Sequence, residues 1–481
     1  LFLVMGLLGL ALRLSHAQLL QLSPVLYDEF FTLHGSGMVA AILLGAMGGV
    51  VAVLGPPVAL DVRVLWIAFV VYVLGLGYIP LSVLLGGFAA GWTMLYPLPV
   101  IAKGMWTGWA TSGFLLGFLF VAVGFGVFCV AVITGTSRAY GGVARALAWP
   151  LLFSKGRRAM TVVPRLEDIT ATVISIYGLF TVLAGTVYLV PLLGQTAGFS
   201  GPVNALVMKN LVFLFGHNIV NLTIYLGAAL VYATLPTYAG RPWRTSWVNA
   251  FGINILLISI LLPYLHHLYQ DFANAVPLQI LGELGSYDSG MSGLFVTVIG
   301  GFMLVYRAGL RWAVPSILIL LGFWGWVFGG FGAVLDGTIP VNQVYHNTLW
   351  VPAHFHTYYL LGAAAFVWAF LYHLVLDLSG RSEPLASRVA AWLYGVGGAG
   401  FVLMFFVAGA AGMPRRYAVP VPGTGEEMWA TIASVFVIVL GLALAWLTFD
   451  VFSGLKPAWE RTKALPAVAA APPRRSPPAG M

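Results

Sequence analysis

His346-Asn347-Thr348-Leu349-Trp350-Val351-Pro352-Ala353-His354-Phe355-His356 opens an apolar run that continues to about residue 377. The run is long enough to cross a bilayer, which needs about 20 apolar residues as a helix. It carries two histidines, at positions i and i+2, about two turns in. At 3.6 residues per turn, such residues lie about 200° apart. His354 and His356 therefore face opposite sides of one membrane helix and cannot chelate one metal together. Each can ligate a separate metal centre, one on either side.

The rest of the chain is built the same way. Of its 481 residues, 60% are hydrophobic and 8% are charged, against roughly a quarter charged in a soluble domain. Lipid offers no hydrogen bonds to the backbone, so only helices or a closed barrel can span it. The apolar runs here are continuous rather than alternating, which selects helices. The reading is an all-α membrane protein, a twelve-transmembrane-helix bundle. Expected spans are 1–16, 28–54, 62–90, 105–136, 166–196, 204–237, 245–267, 279–306, 312–336, 347–377, 386–413 and 427–453. Residues 1–453 form a single transmembrane catalytic domain, and 454–481 read as a flexible Pro/Ala/Arg-rich cytoplasmic tail. Leu1 to Leu12 begin inside an apolar helix without a charged leader, so residues are expected to be missing before them.

Charge fixes the orientation. With the N-terminus in the cytoplasm, 18 of the 23 Lys and Arg fall inside; only Arg13, Lys103, Lys209, Arg415 and Arg416 fall outward. That is the asymmetry of the positive-inside rule. It accounts for the net charge of +8 without a nucleic acid partner. The one cysteine, Cys129, excludes a disulfide framework and a cysteine-ligated metal site.

Six of the nine histidines converge on the outer half of the membrane: His34, His217, His266, His267, His354 and His356. A single one reads as a hydrogen-bonded core residue. Six from four helices at one depth read as metal ligation, because ionisable groups are costly in lipid and imidazole suits iron, copper and zinc. The adjacent pair His266-His267 closes a helix, where a frayed backbone lets both turn toward one ion with His217 as the third ligand. His16 and His373 read as structural.

Taken together, Leu33-His34-Gly35, Gly216-His217-Asn218, His266-His267, the stretch from His346 to His356, and Met413-Pro414-Arg415-Arg416 resemble subunit I of the haem-copper oxidases, nearly end to end. The stretch around His354 is most similar to the B-type. The resemblance implies two haems, one low-spin and one high-spin, and one non-haem metal, copper or iron. His34 and His356 would be the axial ligands of the low-spin haem, and His354 the proximal ligand of the high-spin haem. His217, His266 and His267 would hold the second metal. Arg415 and Arg416 would neutralise haem propionates, with His346 nearby. It also implies an electron-delivering subunit II with a dicopper or haem c centre, and cytochrome c, a cupredoxin or quinol as donor. The location would be a prokaryotic cytoplasmic membrane, the site toward the outer side.

The chain departs from the oxygen-reducing pattern. The tyrosine four residues after the helix 6 histidine is replaced by Asn221, and the other known tyrosine position holds Ile260. The intramembrane glutamate two residues after that histidine is replaced by Ile219, and helix 8 has no mid-span lysine. Nitric oxide reductases of the superfamily also lack the tyrosine. Among acids, Glu283 and Asp288 fall within a span, both on helix 8, as candidate proton donors or ligands. Thr223, Tyr225, Tyr232, Thr245, Ser246, Ser286 and Tyr287 offer hydroxyls for a proton route. The first reading is reduction of NO to N2O. The alternative is a B-type-like oxidase reducing O2 to water, with Tyr264 or Tyr287 as the radical donor. A polytopic metal or proton transporter is the third, and it leaves the i, i+2 histidines and the arginine pair unexplained.

Overall fold

The computed structural model describes residues 1–420 and 424–464. Twelve membrane helices follow the expected order. They are α1 Phe2–His16, α2 Pro24–Val58, α3 Val62–Leu84, α4 Gly108–Tyr140, α5 Leu166–Thr196, α6 Ala205–Ala239, α7 Trp247–Leu268, α8 Val276–Val305, α9 Val314–Gly337, α10 Trp350–Ser379, α11 Leu385–Ala410 and α12 Glu426–Ala464. Eleven of them are long and apolar enough to cross a membrane; α1 is the shorter one. No strand occurs among the described residues.

Helix ends coincide with residues that supply caps. Ser23, Asp61 and Asn204 accept backbone N–H bonds at the starts of α2, α3 and α6. Gly141, Gly240 and Gly380 close α4, α6 and α10 in the left-handed conformation. The last helix runs past residue 453 to Ala464, because residues 454–464 are mostly good helix formers. The rest of the expected tail, 465–481, lies outside the described residues.

Neighbours in sequence mostly pack side by side: α3 on α4, α4 on α5, α5 on α6, and α11 on α12. Helices α2, α6, α9 and α10 meet around the centre, and α1 closes the ring between α2 and α12. Four helices are irregular. α2 kinks at Gly55, just ahead of Pro56 and Pro57. α7 breaks into the helices Trp247–Asn254 and Leu256–Ser259 and a 3₁₀ turn Pro263–Leu268. α8 and α10 each contain a π-helical segment, Gly293–Ile299 and Tyr359–Ala364. Broken backbone inside a membrane needs its freed groups bonded. Around α7, Tyr177 of α5 donates to Ile260 O at 2.8 Å, Ser292 of α8 to Gly252 O, and Asn342 to His266 O at 3.1 Å.

Candidate metal and haem centre

One internal cavity runs through the bundle. It is lined by His34, His217, His266, His267, His354 and His356, with Arg415 and Arg416 at its edge and Asn221 on its wall. Five elements feed it: α2, α6, the 3₁₀ end of α7, α10 and the α11–α12 connection.

His34 on α2 and His356 on α10 face each other with ring centroids 6.3 Å apart and planes 17° from parallel. Two metal–nitrogen bonds of about 2.0–2.1 Å on a shared axis would put the ring centres roughly 6.4 Å apart. The tautomers agree with this use. A carbonyl only accepts, so His34 Nδ1 donates to Met5 O at 2.8 Å and His356 Nδ1 donates to Pro352 O at 2.7 Å. Each ring keeps a bare Nε2, and backbone partners of this kind orient ligand histidines. The approach of α1 is close: a Cβ on Gly9 would sit 2.7 Å from His34 Cε1. These residues fit a six-coordinate haem iron.

His354 leaves the other face of α10. Its Nδ1 donates to Gly329 O of α9 at 3.3 Å, again leaving Nε2 bare. Its ring packs edge-on against Tyr358, centroids 5.6 Å apart. Across the cavity, His217, His266 and His267 hold ligand atoms all within 4.8 Å of one another, within reach of one small ion. The 3₁₀ turn produces the adjacent pair: at three residues per turn, consecutive side chains diverge less than across a strand, and both rings stay on the cavity side. The ring centroids of His266 and His267 are 4.2 Å apart. The fit is to a single metal ion with imidazole ligands.

The arginine pair is fixed by backbone. Leu349 N donates to Met413 O at 2.8 Å, Arg415 N donates to Asn347 O at 3.0 Å, and Thr348 bridges Pro414. The stretch that begins α10 thus clamps the segment that carries both cations. Burial, then the neighbouring Arg416 charge, lowers Arg415 to about 9, and burial lowers Arg416 as well. Among the described residues no carboxylate forms an ion pair with either. Two partly buried cations at a haem-sized cavity suit anionic propionates. His346 lies beside His267, rings 5.7 Å apart, with its Nδ1 3.2 Å from Asn342 Nδ2. Burial, then the Arg415 and Arg416 charges, pushes it down to about 3, so it is neutral.

The remaining sequence candidates are placed differently. The Asn221 amide lies 3.1 Å from His217 Nδ1 and can present either its oxygen or its nitrogen there. Glu283 accepts from Tyr287 OH at 2.8 Å and from Ile339 N, at the outer end of α9 rather than in the cavity. Asp288 is exposed on α8. Neither acid joins the three-histidine group. A membrane helix whose face turns outward carries its acids outward, and a count along the sequence does not show which face that is. Tyr264 and Tyr287 are also absent from the cavity wall. Tyr225 and Tyr358 line it instead.

One residue escaped the sequence reading, and two named there have partners it did not foresee. Asp336, at the last turn of α9, is fully buried with Oδ2 3.9 Å from His266 Nε2. Ser286 of α8 lies 3.0 Å from His266 Nδ1. His16 is not isolated: it pairs with Glu426 at 3.4 Å and stacks on Tyr27. Glu283 and Asp288 are therefore not the only acids in spans, for Asp168 on α5 and Asp336 on α9 are both buried. Asp336 stood at a predicted boundary, where an acid reads as solvated.

A family model described as cytochrome c and quinol oxidase polypeptide I matches residues 1–449. Cytochrome c oxidase subunit 1 of Thermus thermophilus is 26% identical over 295 residues, 55% of this chain and 49% of its own length. A probable cytochrome c oxidase subunit 1-beta of Nocardia farcinica is 24% identical over 482 residues, covering 95% and 76%. For the Thermus relative the match thus spans about half of that protein's length. A heme-copper terminal oxidase dimer solved by cryo-EM superposes with a TM-score of 0.82 at 19% identity, covering 94% of this chain and 81% of that one. The family match runs through every helix that lines the cavity, and on that ground this chain belongs to the cytochrome c and quinol oxidase polypeptide I family.

Proposed function

We propose that this subunit catalyses the reduction of nitric oxide to nitrous oxide. The observation that carries the reading is the wall beside the three histidines. Asn221, not a tyrosine, lies against His217. Among the described residues no tyrosine is hydrogen-bonded to or stacked on His217, His266 or His267. Splitting O–O draws an electron and a proton from such a phenol, whereas joining two NO molecules does not. When bound, the haems and the second metal supply electron transfer and gas binding. The chain's own part is positional. His34 and His356 would together hold one haem iron and leave it no position for gas. His354 and the histidine triad leave an open gap between them. Arg415 and Arg416 would neutralise haem propionates. Electrons would come from a partner subunit, fed by cytochrome c, a cupredoxin or quinol, with the site toward the outer side of a prokaryotic cytoplasmic membrane.

The second reading, reduction of O2 to water, is favoured by two observations. The relatives named above are cytochrome c oxidases, and Tyr358 packs on His354 as a phenol near the site. The purified complex decides between them. Iron and copper are counted per chain, and anaerobic NO loss is compared with O2 loss from one reduced donor. N2O formation that outruns O2 uptake supports the first reading. Fast O2 uptake with one copper per chain overturns it.

A further inference from the structure

The two adjacent ligand histidines are held through the peptide that joins them. His266 O belongs to the last turn of the 3₁₀ end of α7, where carbonyls run out of helical partners. It accepts instead from Asn342 Nδ2 at 3.1 Å. Asn342 lies on the short helix Ile339–Tyr345 between α9 and α10 and is fully buried. Its nitrogen also donates to Asp336 O, at the end of α9, at 2.6 Å. The orientation of the amide follows from these partners. Turned over, its oxygen would face two carbonyls, and a carbonyl has nothing to donate. His346 Nδ1 lies 3.2 Å from the same nitrogen. An amide nitrogen offers hydrogens and no lone pair, so this Nδ1 is the bare nitrogen of its ring and Nε2 carries the proton.

A peptide unit is planar, so the atoms from one Cα to the next move as one plate. The plate between His266 and His267 carries both of their Cα atoms, and its oxygen is the atom that Asn342 grips. Fixing that oxygen fixes the direction in which both side chains leave the backbone. The two rings are otherwise supported unequally. Ser286 gives its proton to Gly282 O at 2.6 Å, so its Oγ accepts from His266 Nδ1–H at 3.0 Å and leaves His266 Nε2 bare. Among the described residues no hydrogen bond orients the His267 ring, which stacks on Phe213 with centroids 5.1 Å apart. Its aim therefore depends on the plate.

We infer that Asn342 is the positioning residue of the histidine pair: its amide pins the His266–His267 peptide to the end of α9 and so sets the angle at which both rings reach one ion. Its side chain is bonded to backbone and to His346, and it belongs neither to the three-histidine group nor to the cavity wall. The inference rests on the fit of three histidines to one ion. It is the same for copper and for iron, and for either gas.

The test uses the intact complex as wild type, Asn342→Leu and Asn342→Ala. The leucine keeps the bulk of the amide without a donor, and the alanine is smaller. Thr172→Val, which removes a buried bond to Thr136 between α4 and α5, controls for general destabilisation. Two haems per chain with unshifted reduced-minus-oxidised bands certify folding. Release of the non-haem metal to EDTA is timed, and thermal midpoints are taken on the same samples. The expected result is release at least about tenfold faster in the Asn342 variants than in Thr172→Val, as loss of a group that orients a ligand produces. A purely structural role would lower the midpoint and leave release at the rate of Thr172→Val, and that result overturns the inference. A wild type that carries copper and consumes O2 overturns the NO reading, while the comparison of release rates still decides the role of Asn342.

Discussion

His34, His354 and His356 each spend one ring nitrogen on a backbone carbonyl and keep the other bare. That division of labour makes several single residues testable. Gly9 is one, because a side chain there would meet His34 at 2.7 Å. Gly9→Ala is expected to displace the ring at an overpacking cost of about 1–3 kcal/mol. The low-spin haem absorption should weaken or vanish while the high-spin haem remains, as read from reduced-minus-oxidised spectra. An unchanged low-spin band refutes the contact. Ser286→Ala removes the acceptor that fixes the His266 tautomer, and should weaken second-metal affinity by about 10–100-fold, measured by chelator competition with haem content held constant. The six histidines and the arginine pair were legible in the sequence because costly groups in apolar helices stand out. Asp336 was not, and Ser286 was read only as a hydroxyl on a proton route. A single acid at a helix end and a single serine on a helix face acquire meaning only from what lies opposite, and that is a property of three dimensions.

Most helix ends were legible to within a few residues, since length and hydropathy decide where a helix spans; the ends of α3, at Leu84 instead of 90, and of α12, at Ala464 instead of 453, were not. The breaks within helices were not. The run from Trp247 to Leu268 is mostly apolar, yet the structure interrupts it twice to deliver two adjacent histidines. Nothing in an apolar count reports backbone bonds taken over by Tyr177, Ser292 and Asn342 from elsewhere. Tyr177→Phe leaves the buried Ile260 carbonyl unsatisfied, a loss of about 1–3 kcal/mol. A lower thermal midpoint of the complex and easier loss of the second metal are expected together. A midpoint that falls while metal retention does not change would separate the tyrosine from the histidine turn.

At the scale of the whole molecule, orientation follows from charge. Most cations lie at the ends of helices on one side, and Arg415 and Arg416, which line the cavity, lie on the other. Cys129 is buried in the α4 interior and serves as a silent background for labelling. A cysteine at exposed Ser200 is expected to react with an impermeant maleimide from outside intact cells, and one at exposed Arg244 only after the membrane is opened. The reverse pattern would invert the topology and with it the side from which electrons enter. One irregularity gives the bundle an unexpected tolerance. The wide turn Tyr359–Ala364 begins three residues after His356 and accommodates one residue more than a regular helix would. It acts as slack in the phase of α10: the outer half, which aims both histidines, is clocked about 100° out of register with the inner half that packs the core. Removing one residue there would leave each half well formed and either rotate the histidines off their partners or twist the inner half against its neighbours. The extra residue is what lets one helix obey two unrelated angular demands.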